Sequence, residues 1–146
     1  MRKKVGIIAC SGEKYIGGTL SRVAARIVVE KLRPNNTIIL CQPLFMAGGL
    51  ERHGGQEERD FAKNHPTITI EGCEEQCAKL AVDKYSGTPA VSINIQEIID
   101  AHPELKMNSP EYIGEDGLKL AEIIAEKIAE KVDELFEGNL ASNKIN

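Results

Sequence analysis

The chain has no tryptophan, and only three phenylalanines and three tyrosines among 146 residues. That excludes an aromatic platform for stacking single-stranded nucleic acid. Positive charge is also scarce. Eighteen Lys and Arg stand against 22 Asp and Glu, for a net charge of -4. The one basic run, Arg2-Lys3-Lys4, reads as a solvated N-terminus. Phosphate binding needs a clustered basic face, so no nucleic-acid partner is expected. No apolar run nears the ~20 residues of a membrane span. The apolar stretch Val5 to Ala9 is too short for a signal peptide and reads as a buried strand. A cytoplasmic location with no membrane partner is the expectation.

Nucleotide fingerprints are missing too. There is no Gly-x-Gly-x-x-Gly, and no Walker pattern with its Lys and Ser/Thr. A phosphatase loop built on Cys10 needs an arginine six residues on, where Ile16 stands. Cysteine is sparse but informative. Four cysteines in a reducing compartment point to metal or redox chemistry before structural disulfides.

What is present is an alternation of strands and helices. Lys4 to Cys10 is a nearly continuous apolar run stopped by Ser11-Gly12, which suits a strand covered on both faces. Leu20, Val23, Ala24, Ile27, Val28 and Leu32 follow at helical spacing, and Pro34-Asn35-Asn36 ends that helix. Thr37 to Cys41 is a second strand ended by Pro43, and Phe45 to Gly55 a glycine-rich loop. Gln56 to Asn64 is a short helix, Thr67 to Ile70 a third strand, and Glu74 opens a helix lasting to about Ser86. Pro89 to Ile95 is the fourth strand and Gln96 to Ala101 a short helix. A last helix runs from about Glu115 to Phe136, with Gly138 as its stop. The prediction is a single three-layer αβα domain over residues 1–138, Rossmann-like, with a mainly parallel sheet of about four strands. Residues 139–146 are expected to be a flexible C-terminal tail.

The cysteines fall in a pattern on that frame. Cys10 and Cys41 end strands one and two, and Cys73 lies just past strand three. Open parallel sheets bind ligands at those strand ends. Cys77 follows Cys73 by four residues, a spacing that stacks two side chains on one helix face. The prediction is a four-thiolate metal site of Cys10, Cys41, Cys73 and Cys77, with zinc as the cofactor. The plainer alternative makes Cys10 and Cys41 buried apolar residues.

Ala9-Cys10-Ser11-Gly12, Gly17-Gly18-Thr19-Leu20-Ser21-Arg22-Val23-Ala24-Ala25, Leu40-Cys41 and Glu71-Gly72-Cys73-Glu74-Glu75-Gln76-Cys77-Ala78 together resemble the DGC-domain family. The resemblance covers nearly the whole chain. It implies a zinc-binding protein with cysteine ligands. The family's Asp-Gly-Cys motif appears here as Glu71-Gly72-Cys73, which keeps the charge on a longer side chain.

Other groups are candidates beside the thiols. Gly12, Gly17 and Gly18 serve tight turning and close packing, or, with Ser11 and Thr19, cradle a small anion that Arg22 also lines. His53 is a possible further ligand or proton shuttle, whereas His65 and His102 precede prolines and read as helix stops. Glu71 is a second-sphere acceptor, a general base or a surface carboxylate. The leading function is a zinc carrier or sensor. A thiol redox or transfer enzyme using Cys73 and Cys77, with Cys73 attacking from a helix N-terminus, is the alternative, and an iron–sulfur protein a further one. A hydrolytic zinc enzyme fits least, because four thiolates close the site.

Overall fold

The computed structural model describes residues 4–47 and 54–145, with side chains through Glu137. Four strands form one sheet: β1 (Val5–Ala9), β2 (Thr37–Leu40), β3 (Thr67–Glu71) and β4 (Val91–Asn94). All pairs are parallel and the order is β2-β1-β3-β4. The connections are α1 (Ile16–Ile27), α2 (Gln42–Met46), α3 (Gln56–Asn64), α4 (Cys77–Tyr85), α5 (Gln96–Asp100) and α6 (Gly114–Ile145). The last turn of the first helix, Val28–Leu32, is wound as a π-helix.

The apolar β1 run is explained by cover on both faces. Val5 and Ile7 pack with Ile68 and Ile70 of β3 against Leu20 and Ala24 of α1, Val28 of the π-helical turn after it, and Leu120, Ile124 and Ile128 of α6. Ile8, one residue on, points to the other side with Leu40, where α2, α3 and α4 supply Phe45, Ala62, Ala78 and Val82. Two cores separated by the sheet give the predicted three layers. Each fully buried Ile or Leu contributes about 1.5–3 kcal/mol of transfer free energy. Arg33 anchors the end of the first helix to α6 through paired 2.7 Å hydrogen bonds from Nε and Nη2 to Asp133.

Several boundaries differ from the sequence reading. Pro43, expected to end the second strand, lies in the first turn of α2, because its fixed φ suits the start of a helix. Leu118 and Leu80 are exposed, and Leu120 and Val82 take the inward positions. Backbone helix continues through Gly138, the expected stop, to Ile145, so the segment expected to be a flexible tail is helical. Of the glycine-rich loop, residues 48–53, including His53, lie outside the described residues. No described helix is long and apolar enough to cross a membrane.

The strand order matters for function. From β1 the chain moves outward to β2, and from β3 it moves the opposite way to β4. The order therefore reverses between β1 and β3, and the crevice beyond their C-terminal ends is where such sheets bind ligands.

Candidate functional site

Cys10 leaves β1 at that reversal, with its N–H donating to Ile70 O at 2.9 Å. It is buried, and its Sγ accepts from Gly12 N–H at 3.4 Å. Cys73 is half-buried in the turn after β3, and Cys77 is exposed as the first residue of α4. Cys77 is pushed up in pKa by burial first, then by the charges of Cys10 and Cys73, then by Glu75 and Glu71. All four cysteines are free thiols.

Cys41 is placed differently. Leu40 pairs with Ile8, so Cys41 falls beside Ala9, and the alternation of the pleat turns it from the face that Ile8 and Cys10 share. Its side chain is exposed and its N–H donates to Glu58 Oε2 at 3.2 Å.

The sequence reading put Cys73 and Cys77 on one helix face. Instead α4 begins only at Cys77, and residues 73–76 form a turn. Gln76 holds φ 54°, ψ 43°, the left-handed region, between the two cysteines. The expected helix therefore starts three residues late, and Cys73 does not lie in its first turn. Cys77 does occupy one, but its raised pKa opposes the low-pKa nucleophile that thiol exchange requires.

Glu71 explains how α4 starts without a local cap. Gln76 makes no side-chain capping bond. The Glu71 carboxylate, fully buried at the end of β3, accepts from Lys79 N–H at 3.1 Å and from Ala78 N–H at 3.2 Å. It thus satisfies two of the orphan donors at the helix start from seven and eight residues away. Burial raises its pKa, opposed by hydrogen bonding from Thr69, Lys79 and Ala78. The acidic residue before Gly-Cys serves as the remote cap of the helix that carries the second cysteine.

The glycines have a packing role. A Cβ on Gly17 would overlap the carbonyl of Gly72, and one on Gly18 would overlap that of Gly12. Only glycine lets the start of α1 sit directly on the loops after β1 and β3. The other groups considered for an anion are engaged internally. Ser11 donates its N–H (3.0 Å) and its hydroxyl (2.8 Å) to Gln42 Oε1. Thr19 Oγ1 donates to Pro110 O at 2.6 Å. Arg22 Nη1 donates to Gly12 O at 2.7 Å, and Nη2 lies 3.7 Å from the Glu13 carboxylate. Gln42 is the residue the sequence hid. Buried at the start of α2, it ties the turn after Cys10 to the residue after Cys41, and nothing in Gln42-Pro43 signals that bond. His65 stacks on Phe61 with centroids 4.1 Å apart, and His102 pairs with Glu104 at 3.2 Å.

The donor set suits a soft divalent metal in kind, since Cys10, Cys73 and Cys77 lie on one rim of the sheet and thiolates are soft ligands. It is not assembled as a cage. Among the described residues no three His, Cys, Asp or Glu side chains are grouped to hold a metal ion.

Fold and site together define a doubly wound parallel α/β domain with Cys10 and Cys73 at its switch point and Cys77 opening the helix that follows. The model of the DGC domain matches residues 6–133, and the chain belongs to that family. No curated protein and no solved structure matches the chain.

Proposed function

We propose that the protein binds zinc through Cys10, Cys73 and Cys77 and acts as a metal carrier or sensor. The observation that supports this is the placement of Cys10 and Cys73 just past the two strands that flank the switch point, with Cys77 opening the helix that follows. A divalent cation offsets the mutual repulsion of thiolates, and thiolate donors suit zinc. The turn between Cys73 and Cys77, with its left-handed Gln76, is the segment that must adjust to bring the sulfurs into ligating distance. Cys41 stands apart from the cluster, so three protein thiolates leave one tetrahedral position to an outside ligand. Two apolar cores fold the domain without help from a metal, which favours a carried or sensed ion over a structural one. A reducing cytoplasm is the compartment that keeps such thiols available.

Cobalt(II) tests the reading in solution. Added to reduced, chelator-treated protein, it is expected to give thiolate-to-cobalt charge-transfer absorbance that survives Cys41→Ser and disappears in Cys73→Ser. Absence of the band in the unsubstituted protein would sink the proposal.

A further inference from the structure

The second strand serves the site by a route other than its cysteine. Cys41 stands apart, yet the next residue, Gln42, is buried at the start of α2 and reaches the turn that carries Cys10. Its Oε1 accepts two hydrogen bonds from Ser11, one from the N–H at 3.0 Å and one from the hydroxyl at 2.8 Å. The partners lie 31 residues apart, so only the fold makes this bond.

Arg22 holds the same turn from α1. Its Nη1 donates to Gly12 O at 2.7 Å and to Cys10 O at 3.4 Å. Gly18 closes on the Gly12 carbonyl so tightly that a Cβ there would overlap it. Residues 10–12 are thus gripped from both sides, at the middle residue by Gln42 and at the two ends by α1. In the turn held this way, Gly12 N–H donates to Cys10 Sγ at 3.4 Å. Cys10 is buried, so its thiolate loses water, and this N–H is a donor that partly replaces it. Hydrogen bonds to a ligand sulfur, and partners that fix a ligand's orientation, tune metal affinity. A turn already held in place also loses less freedom when its sulfur ligates.

We infer that Gln42 is a positioning residue of the metal site: by holding Ser11 it keeps Gly12 N–H aimed at the Cys10 sulfur. The inference rests on the zinc reading and adds to it a residue that bonds to Ser11 rather than to a cysteine.

Zinc affinity of the reduced full chain, measured by competition with a chromophoric chelator, tests it. Gln42→Met keeps the side-chain length and removes the amide acceptor. It is expected to bind zinc about tenfold more weakly, the loss that removing an outer hydrogen-bond partner of a metal ligand brings. Gln42→Glu keeps an oxygen facing Ser11 and is expected to recover most of the affinity. Ser11→Ala, at an exposed position, removes one of the two hydrogen bonds and is expected to give a smaller loss. In metal-free protein, iodoacetamide is expected to label Cys10 faster in Gln42→Met, with the Cys73 and Cys77 rates unchanged. Absence of zinc binding by the parent would overturn the zinc reading and the inference with it. Where the parent binds zinc, undiminished affinity in folded Gln42→Met, or in Ser11→Ala should Gln42→Met not fold, would overturn the inference alone. Equal rises in labelling at all three cysteines would assign the effect to general stability and overturn it too.

Discussion

Gly17 and Gly72 meet backbone to backbone, and a Cβ on either would overlap the other's peptide. This contact joins the first turn of α1 to the turn that carries Cys73, across the point where the sheet order reverses. It packs the two turns together with main chain alone.

Gly17→Ala is therefore expected to destabilise the fold by about 2–3 kcal/mol, since overpacking here pushes on backbone rather than a flexible side chain. Gly54→Ala, where an added Cβ meets nothing within 4 Å, is the control and is expected to stay within about 0.5 kcal/mol of the parent. Urea unfolding midpoints measure both. Equal midpoints for the two variants would show that the α1 start is not locked to the Cys73 turn.

Glu71 links the strand end to α4, and its titration has a defined sign. Its pKa is raised in the folded state, so the folded protein favours the protonated carboxyl. The group's contribution to stability is fully present below the ordinary value of about 4.3 and is lost as pH rises through the higher folded value. Glu71→Gln keeps an acceptor but cannot titrate, so it is expected to lose less stability than the parent between about pH 4 and pH 7. Glu71→Ala removes the cap and is expected to lower stability by about 1–2 kcal/mol at neutral pH. Identical pH profiles for parent and Glu71→Gln would contradict this account of the carboxylate.

Gln76 sits in the left-handed region without the freedom of glycine. Replacing it with glycine is expected to raise stability by roughly 1 kcal/mol, because the left-handed backbone costs other residues about 1–2 kcal/mol and glycine gives back part of that as chain entropy. Thermal unfolding checks the sign. A lowered midpoint would mean that the Gln76 side chain contributes more than its backbone strain removes.

The pair of Arg33 and Asp133 ties the end of the first helix to α6 in a bidentate arrangement. Hydrogen bonding to Arg33 holds the Asp133 carboxyl below its ordinary value. Its stabilising effect is present above about pH 3.9 and is lost as pH falls through the lowered folded value. The Arg33 and Asp133 side chains are 32% and 42% exposed, so Asp133→Asn is expected to cost no more than about 1 kcal/mol, less at high salt. A loss independent of salt would assign the effect to packing instead.

Much of this architecture was readable in the sequence. The apolar run at Val5–Ala9 announced a doubly covered strand, Thr67–Ile70 read correctly as the third strand, and Gln56–Asn64 read correctly as a short charged helix ended by His65-Pro66. Placing Cys10 and Cys73 at strand ends put them on one rim, and topology brought them to the switch point. Local conformation was harder. Four-residue spacing at Cys73 and Cys77 looked helical, but a left-handed Gln76 is a backbone choice that glutamine does not advertise. Cys41 was placed on the right rim, but its face depends on register, and a one-residue offset reverses a side chain. Glu71 as a remote cap and Gln42 as a tie between turns are long-range hydrogen bonds, which periodicity cannot reveal.

Zinc content of the Cys→Ser series tests the central claim most directly. Reduced, tag-free protein is equilibrated with zinc, desalted and analysed for metal by mass spectrometry. The account predicts about one zinc per chain in the parent and in Cys41→Ser, and loss of most of it in Cys10→Ser, Cys73→Ser and Cys77→Ser. Full zinc retention in all three of those variants, or no zinc in the parent, would contradict it.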